Sequence, residues 1–255
     1  MSVFGDYSLY YEALYRDKDY PGEAGFVHSV LQKHAPQAKS ILDLGCGTGI
    51  HAEYLCRMGY RVHGVDVSRQ MICLANKRAG EMPSDIASFL SFSEGDIRSC
   101  RVEQSFDAVT ALFHVASYQN SYEDLRALFQ TAKLHLTRGG LFLFDFWHGP
   151  AVLRDAPAAR IKRWEDEQMQ VIRLAEPVMH ADRNVVDVNY TLLVQDKRSG
   201  ATKEIRETHC MRYWFLPELS FFLAEAGFTL RELGEWMTAA APSLSSWSVY
   251  IAAFR

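Results

Sequence analysis

The stretch ILDLGCGTGI, residues 41–50, places an acidic side chain, Asp43, just before glycines at positions 45, 47 and 49. Glycine-rich turns of this kind let the backbone approach a phosphate, and the dinucleotide version has glycine at its first, third and sixth positions. Here the sixth position is Ile50, and the carboxylate of Asp43 would repel a diphosphate by ~1 kcal/mol or more. The turn therefore favours a ligand that carries a positive group over a dinucleotide.

A second set of reactive side chains follows two later apolar runs, in the stretches LFHVASYQN and FDFWHGP. His114 and Tyr118 in the first stretch are candidate bases that could take a proton from a reacting group. Asp145, Trp147 and His148 in the second stretch are placed to contact that group. The alternative for either candidate base is a structural role, such as a histidine that bonds only to a backbone carbonyl.

The elements that must position these residues alternate between strand and helix from about residue 40. Five short apolar runs predict strands, and amphipathic stretches such as GIHAEYLCRMG and RQMICLANKRAG predict the helices between them. The helix after the fourth strand is predicted to end at Gly139 and Gly140. Strands that alternate with helices indicate a parallel sheet, whose ligands bind at the carboxyl ends of the strands.

The segments on either side of this pattern differ from it. Residues 8–35 predict helices that break at Pro21-Gly22, and residues 160–213 predict an antiparallel insertion with Val186, Val188, Tyr190, Leu192 and Val194 on one face. The stretch DKRSGATK is the predicted hairpin turn. A helix containing Pro217 and two terminal strands complete the chain, and these strands suit an antiparallel edge.

Composition restricts the function classes. The chain has 255 residues, a formal charge of −4, and 27 Lys and Arg residues that are scattered, so no basic surface for nucleic acid is indicated. Five cysteines without C-x-x-C spacing predict neither a disulfide framework nor a metal site. The sequence has neither a basic start followed by an apolar run nor 18 consecutive apolar residues, so we expect neither a secretory leader nor a membrane span. We therefore expect a cytoplasmic protein that binds small molecules, with no metal, nucleic acid or membrane partner.

The strand-Asp-x-Gly-x-Gly-x-Gly-helix arrangement resembles the class I S-adenosylmethionine-dependent methyltransferases, and three further stretches match that family in order. Asp66 ends the second strand, SRQM follows it, and EGDIRS ends the third. The resemblance implies a Rossmann-like, doubly wound, seven-stranded and mostly parallel α/β sheet with an antiparallel insertion after the fifth strand. It also implies S-adenosylmethionine as cofactor, S-adenosylhomocysteine as product, and these cofactor-binding residues: Tyr15, Asp43, Gly45, Cys46, Gly47, Asp66, Val67, Met71, Asp96, Ile97 and Phe113.

In that family Asp66 would accept the ribose hydroxyls, Met71 would lie against adenine, and Asp96 would accept from the adenine amino group. Methyl transfer requires an acceptor lone pair opposite the sulfur, and it needs a base only to remove the acceptor's proton. The candidate catalytic residues are therefore His114 and Tyr118. Met71 considered alone would more often be a core residue.

The whole chain is similar to the branch of this family that contains the N,N-dimethyltransferases of nucleotide-linked amino sugars. The features that carry this likeness are the early tyrosines Tyr7, Tyr15 and Tyr20, the stretch HVASY, the insertion, and RETHCMRYW leading to PEL. The resemblance implies that residues 1–37 form a helical cap, that residues 38–159 and 214–255 form the cofactor-binding domain, and that residues 160–213 cover the acceptor or support a homodimer. The substrate-binding candidates are Tyr7, Asp145, Trp147 and Arg212.

The sequence leaves the acceptor open. Tyr118 stands where some of the sugar enzymes have histidine, and FDFW replaces a more apolar end of the fifth strand. Arg212 would suit a phosphate or carboxylate of the acceptor, or it could pair with an acid of the protein such as Glu207. By strand alternation, only one of His209 and Arg212 can point into a shared cavity. The alternatives to an amino-sugar enzyme are an O- or N-methyltransferase of another metabolite and a cofactor-binding protein without transfer activity.

Overall fold

The computed structural model describes residues 7–255, which contain a seven-stranded sheet and a four-stranded sheet. The helices are α1 (Ser8–Leu14), α2 (Tyr20–His34), α3 (Ile50–Arg57), α4 (Arg69–Gly80), α5 (Ser84–Ala87), α6 (Tyr122–His135), α7 (Gly149–Arg154) and α8 (Leu216–Glu225), with a 3-10 turn at Val115–Tyr118. The strands are β1 (Ser40–Leu44), β2 (Arg61–Asp66), β3 (Leu90–Glu94), β4 (Phe106–Ala111), β5 (Leu136–Trp147), β6 (Arg160–Glu165), β7 (Met169–His180), β8 (Val185–Asp196), β9 (Thr202–Arg212), β10 (Thr229–Glu235) and β11 (Ser248–Phe254).

The seven-stranded sheet has the order β10-β11-β5-β4-β1-β2-β3. Strands β1 to β5 are mutually parallel, whereas β11 is antiparallel to both β5 and β10. The predicted doubly wound, mostly parallel sheet with an antiparallel edge is therefore confirmed. The order in which the chain adds strands reverses at β1: β2 and β3 follow on one side of it, and β4 and β5 on the other. Such a switch point opens a crevice at the carboxyl ends of the strands.

The core lies in two layers, one on each face of this sheet. Phe142, Phe144 and Phe146 of β5 pack in one cluster with apolar residues of α6 and α8. The alternate residues Leu141 and Leu143 pack in a second cluster with α2 and α3. A central strand that is buried on both faces reads as a continuous apolar run, and this explains why LFLFDFW was recognisable in the sequence.

The four-stranded sheet is antiparallel throughout, in the order β6-β7-β8-β9, and all four strands fall within the predicted insertion. Val186, Val188, Leu192 and Val194 of β8 are buried, and Tyr190 on the same face is half-buried. The antiparallel insertion after the fifth strand is therefore confirmed. The buried face packs against α1 and against residues that follow strands of the central sheet, such as Tyr118 after β4 and Val152 after β5.

Two helix boundaries differ from the prediction. The opening helices separate before Tyr20, and Pro21 lies in the first turn of α2, where a missing backbone N–H costs no hydrogen bond. The side chain of Asp19 caps this turn by accepting from the N–H of Gly22 at 2.9 Å. Helix α6 ends at His135 because the next residue is already extended and begins β5, so the predicted end at Gly139 and Gly140 is wrong.

The sequence pattern did not reveal the short helices α5 and α7 or the 3-10 turn, since a four- to six-residue helix has too few positions for a period to emerge. Across residues 7–255, no helix is long and apolar enough to cross a membrane. The division of the chain into cap, core and insertion stays a prediction, and residues 1–6 of the predicted cap lie outside the described residues.

Candidate active site

A cavity of about 490 Å³ lies at the carboxyl ends of the parallel strands. Its volume falls within the range of about 300–1,000 Å³ that is typical of small-ligand sites. One side, which we call the glycine wall, consists of Asp43, Gly45, Cys46, Gly47, Asp66, Met71, Asp96 and Ile97. A second part of the lining, which we call the insertion wall, consists of Tyr118, Trp147, Tyr190, His209 and Met211.

The turn after β1 needs glycine for two different reasons. Gly45, Gly47 and Gly49 all have positive φ, at +77°, +54° and +75°, a region that favours glycine. A Cβ atom at Gly45 would also lie 2.6 Å from Cγ2 of Val115. A Cβ atom at Gly47 would meet nothing within 4 Å, and Gly47 borders the cavity, so this turn exposes backbone to a ligand.

Two buried carboxylates lie on the glycine wall. Asp43 is 2% exposed and accepts a hydrogen bond of 2.7 Å from Oγ1 of Thr110, and burial raises the pKa of its carboxyl. Asp66 accepts from the N–H groups of Ser68 and Gly47 at 2.8 and 2.9 Å, and burial raises its pKa as well. A cationic ligand beside these carboxylates would stabilise their charged forms, whereas a diphosphate would destabilise them.

The rest of the glycine wall offers apolar and partly exposed groups. Met71 is buried, Ile97 is half-buried, and Val67 at the rim is exposed. Both oxygens of Asp96 accept from Arg98, with Nη2 at 2.6 Å from Oδ2, and these bonds lower the pKa of Asp96. Arg98 also bonds to Asp124 at 2.7 Å, so its charge is already balanced by two carboxylates.

The end of β4 has an unusual backbone. Phe113 and His114 are consecutive non-glycine residues with φ of +61° and +65°, a strained conformation that the surroundings must hold in place. The backbone N–H of His114 donates to Oδ1 of Asp145 at 3.0 Å. The imidazole Nδ1 lies 2.7 Å from the other carboxylate oxygen, close but poorly aligned for a hydrogen bond. Asp145 therefore holds both the backbone and the ring of His114.

Asp145 itself does not border the cavity. It is 1% exposed, and Oγ of Ser248 on the neighbouring strand β11 donates to its Oδ2 at 3.3 Å. His148 is also buried away from the cavity, where its Nδ1 lies 3.2 Å from the carbonyl of Ser246. Of the candidates at the end of β5, Trp147 is the one that borders the cavity.

The insertion wall contains a chain of polar groups. The hydroxyl of Tyr118 lies 2.9 Å from Nδ1 of His209, whose Nε2 lies 3.4 Å from Oε2 of Glu207. The backbone N–H of Tyr7 donates to Oε1 of the same glutamate at 3.2 Å. Burial raises the pKa of Tyr118 well above its ordinary value, so its hydroxyl keeps its proton. The imidazole is 3% exposed and packs against the rings of Tyr7, Tyr118 and Tyr190.

Helix α1 closes the cavity over this wall. Tyr7, Tyr11 and Tyr15 are spaced one helical turn apart, and all three border the cavity. Nη1 of Arg173 on β7 donates to the hydroxyls of Tyr7 and Tyr15 at 3.1 and 3.2 Å, and its guanidinium packs on the Tyr15 ring. The arginine thus ties the helix to the inserted sheet.

Arg212 lies outside the cavity. Its guanidinium sits over the rings of Tyr122 and Trp214, at 4.6 and 4.4 Å from their centroids. Nη1 donates to the carbonyl of Asn120 at 3.2 Å, and Nη2 lies 3.6 Å from Oε1 of Glu218. The alternation argument placed His209 and Arg212 on opposite faces of one strand, and in the structure it is His209 that borders the cavity.

The structure brings most of the predicted site residues together around one cavity. All eleven cofactor-binding candidates border it, as do His114, Tyr118, Tyr7 and Trp147, whereas Asp145 and Arg212 do not. Their roles stay predictions. Among residues 7–255, no group of three or more His, Cys, Asp or Glu side chains is arranged to hold a metal ion.

The sequence analysis did not assign Glu207, His209, Tyr190 or Met211 to the site, although it placed Tyr190 on one face of the insertion and weighed His209 against Arg212. The register pairs Tyr190 with Glu207 and Val188 with His209, so these side chains share the buried face of the insertion. The period-two pattern of β8 could have been continued across the hairpin turn into β9, and that step would have selected Glu207, His209 and Met211 as inward residues.

Comparison with known proteins adds a family and its members. A methyltransferase-domain family matches residues 41–140. The dTDP-4-amino-2,3,4,6-tetradeoxy-D-glucose N,N-dimethyltransferase of Saccharopolyspora spinosa is 30% identical over 189 residues, which cover 73% of this chain and 72% of the relative. The dTDP-3-amino-3,4,6-trideoxy-alpha-D-glucopyranose N,N-dimethyltransferase of Streptomyces venezuelae is 27% identical over 228 residues, which cover 89% of this chain and 90% of the relative.

Solved structures show the same fold. A sugar N-methyltransferase from a Streptoalloteichus species superposes with a TM-score of 0.81 at 23% identity, over 100% of this chain and 96% of that one. The match includes the inserted sheet as well as the parallel core, because it covers the whole chain.

Proposed function

The chain belongs to the S-adenosylmethionine-dependent methyltransferases, and from that premise we propose that it methylates a polar small molecule, the leading candidate being the amine of a nucleotide-linked sugar. The observation that carries this proposal is one cavity with two unlike walls. The glycine wall has buried carboxylates that suit a cationic cofactor, and the insertion wall has aromatic and hydrogen-bonding groups that suit a polar acceptor. The two relatives named above act on dTDP-linked amino sugars, as their names state.

The residues of the glycine wall fit S-adenosylmethionine. When bound, this cofactor supplies a methyl group activated by a sulfonium. Asp43 would face its positive groups, because the nearest described partner of this buried carboxylate is the neutral hydroxyl of Thr110. Each Asp66 oxygen accepts one backbone N–H and keeps lone-pair capacity for the ribose hydroxyls. Met71, Ile97 and Phe113 would enclose the adenine, and Tyr15, Val67 and Asp96 complete the proposed cofactor set.

The other residues would position the acceptor and exclude water. Helix α1 covers the cavity with Tyr7, and Trp147 and Tyr118 border the acceptor side. Transfer forms a bond from the acceptor nitrogen to the methyl carbon and breaks the methyl-sulfur bond, and the methylated nitrogen must then lose a proton. We assign the removal of that proton to His114, which borders the cavity and whose ring and backbone both lie against Asp145.

A second candidate function is methyl transfer to a hydroxyl group. The close pair of His114 and Asp145 favours it, since a hydroxyl must lose its proton to become a good nucleophile whereas a neutral amine need not. The acceptor would then be a sugar or another small metabolite with a hydroxyl at the same place. A phosphate-bearing acceptor would also have to find its basic partners away from the insertion wall, which contains no Lys or Arg.

The decisive experiment measures binding and product separately. Titration calorimetry with S-adenosylmethionine tests the cofactor site, and mass spectrometry then follows methyl addition to a dTDP-linked amino sugar and to its hydroxyl analogue. We expect binding together with methylation of the amine. Binding without product from any acceptor in a broad panel would support a protein without transfer activity, and absence of binding would reject the proposal. The Asp43→Asn variant serves as the control that should bind weakly.

We further propose a cytoplasmic location and a homodimer. All five cysteines are free thiols, which suits a reducing compartment. Ile161 and Val178 are exposed apolar residues of the inserted sheet and offer a surface for a second copy. Light scattering during size-exclusion chromatography would give the mass of the assembly directly, and a monomer at micromolar concentration would contradict the dimer.

A further inference from the structure

We propose that Glu207 and His209 set the direction of the hydrogen bonds on the insertion wall so that Tyr118 accepts a hydrogen bond from the methyl acceptor. Asp145 does the same for His114, and with both groups accepting, the cavity prefers an amine to a hydroxyl. This inference rests on the proposed function and deepens it, because it assigns the chemical class of the reacting group. Glu207 and His209 are positioning residues, since they act on the methyl acceptor only through Tyr118.

The direction starts at Glu207, which is nearly buried beneath α1. A backbone N–H only donates, and that of Tyr7 is bonded to Oε1. The carboxylate accepts at both oxygens, so the nearby Nε2 of His209 must carry a hydrogen to bond to Oε2. This fixes which nitrogen of the imidazole is protonated.

The next link is the bond between His209 and Tyr118. A neutral imidazole with hydrogen on Nε2 has a bare Nδ1, which accepts, so the hydroxyl of Tyr118 must donate across the 2.9 Å contact. The raised pKa of Tyr118 agrees with this, because the phenol keeps the hydrogen that it donates. Tyr118 borders the cavity, and because its one hydrogen is directed at His209, its hydroxyl would accept from a ligand and not donate to it.

His114 reaches the same result by a separate route. Its Nδ1 lies 2.7 Å from Oδ2 of Asp145, and although the pair is poorly aligned for a hydrogen bond, two lone pairs would repel at that distance, so the hydrogen of a neutral ring belongs on Nδ1. The remaining nitrogen, Nε2, then carries a lone pair on a side chain that borders the cavity. The two residues lie at opposite ends of one short 3-10 turn, where His114 is the N-cap and Tyr118 the last residue. His114 and Tyr118 thus give the cavity two hydrogen-bond acceptors and no hydrogen-bond donor.

A primary amine on the methyl acceptor matches these two hydrogen-bond acceptors, because its two N–H groups can donate to them while its lone pair points to the methyl group. A hydroxyl has one hydrogen and would leave one acceptor unpaired, and we expect this to lower kcat/KM by about 10- to 100-fold. A monomethylated amine also has one N–H, so the second methylation of the same nitrogen should be slower than the first by a similar factor.

The first test measures the tautomers without any need for activity. Long-range proton-nitrogen NMR on protein labelled with ¹⁵N-histidine separates a bare ring nitrogen from a protonated one, and a His209→Gln variant assigns the signal. We expect His209 with hydrogen on Nε2 and a bare Nδ1. Hydrogen on Nδ1, or a ring protonated on both nitrogens at neutral pH, would overturn the inference.

The second test compares acceptors in the Glu207→Gln variant, whose amide can donate to His209 and reverse the chain. We expect the preference for the amine sugar nucleotide over its hydroxyl analogue to fall about tenfold, with the affinity for S-adenosylmethionine unchanged. The Glu204→Gln variant is the matched control, because Glu204 lies on the same strand, pairs with Arg206 and faces outward. The Tyr118→Phe variant removes the accepting oxygen and should lose the preference even if the Glu207 variant folds poorly.

The outcomes separate this inference from the proposed function. Calorimetry with the amine and hydroxyl analogues in the presence of S-adenosylhomocysteine measures the preference without turnover. A preference in binding that Glu207→Gln removes, combined with no methyl transfer, would support the inference and reject the function. Transfer to amine and hydroxyl at equal rates would support the function and reject the inference.

Discussion

The two walls of the cavity differ in how the chain builds them. The glycine wall comes from consecutive strand ends and turns, and the bonds of Asp66 join near neighbours, to Ser68 two residues later and Gly47 nineteen residues earlier, while Thr110 reaches Asp43 across 67 positions. The insertion wall joins distant segments, since Tyr118 meets His209 across 91 positions and Tyr7 meets Glu207 across 200. The first wall depends on backbone conformation, and the second depends on side chains brought together by tertiary packing.

The largest effect should come from the glycine wall. The Asp43→Asn variant keeps the size of the side chain and can still accept from Thr110, but it removes a buried negative charge. A pair of unit charges about 4 Å apart is worth about 4 kcal/mol at an effective dielectric constant of 20, so we expect the Kd for S-adenosylmethionine to rise about 1,000-fold. Titration calorimetry measures this change.

The control for that variant is Asp107→Asn. Asp107 accepts from Ser40 and Lys39 at the amino ends of β1 and β4. Asp43 and Thr110 lie on these two strands as well, but the cavity is at the opposite, carboxyl ends. This variant should lose stability without a change in cofactor affinity. Equal affinity losses in the two variants would mean that the charge of Asp43 acts through the fold and not on the ligand.

The contrast between the walls also explains what the sequence could predict. A glycine turn after an apolar run has a local signature, because Gly45 and Gly49 need positive φ and have no room for a Cβ atom. His209 and Glu207 lie in an ordinary alternating strand, and nothing local marks them as neighbours of Tyr118. Strand alternation narrowed the choice to one of His209 and Arg212, but only the packing of the sheet on α1 decided between them.

The next prediction concerns the support behind the glycine wall. Burial alone would raise the pKa of Glu23, but hydrogen bonds and charge from His51 and Lys18 lower it from 4.5 to about 2. Because the folded-state pKa is the lower one, this interaction stabilises the protein above about pH 4.5 and is lost as the pH falls towards 2. The difference corresponds to about 3 kcal/mol of unfolding free energy.

Urea unfolding between pH 7 and pH 2 measures this term. The Glu23→Gln variant should be less stable at neutral pH and should lose less stability on acidification than the unmodified protein. If the two proteins lose stability in parallel as the pH falls, Glu23 does not supply the pH dependence. His51 borders the cavity, so the same variant should also weaken cofactor binding by a few-fold.

A smaller effect is expected at His114, which borders the cavity but belongs to neither wall, and at its partner Asp145. The Asp145→Asn variant removes the charge that holds the ring and backbone of His114, and we expect kcat to fall about 10- to 100-fold with little change in the Kd for S-adenosylmethionine. Rapid-quench measurement of a single turnover isolates this step. Asp155→Asn is the matched control, because Asp155 is exposed just after α7. An unchanged kcat in Asp145→Asn would mean that the charge of Asp145 does not support proton transfer to His114.

The smallest effect on catalysis should follow from a change at Arg212, a substrate-binding candidate of the sequence analysis that does not border the cavity. The guanidinium of Arg212 packs over the rings of Tyr122 and Trp214 and pairs with Glu218, so its contacts are with the protein itself. The Arg212→Met variant should lose about 1 kcal/mol of unfolding free energy through the two aromatic contacts, while the KM for the acceptor stays within about twofold. A KM that rises tenfold at unchanged stability would instead show that an acidic part of the acceptor reaches Arg212, and would extend the insertion wall along β9 to that residue.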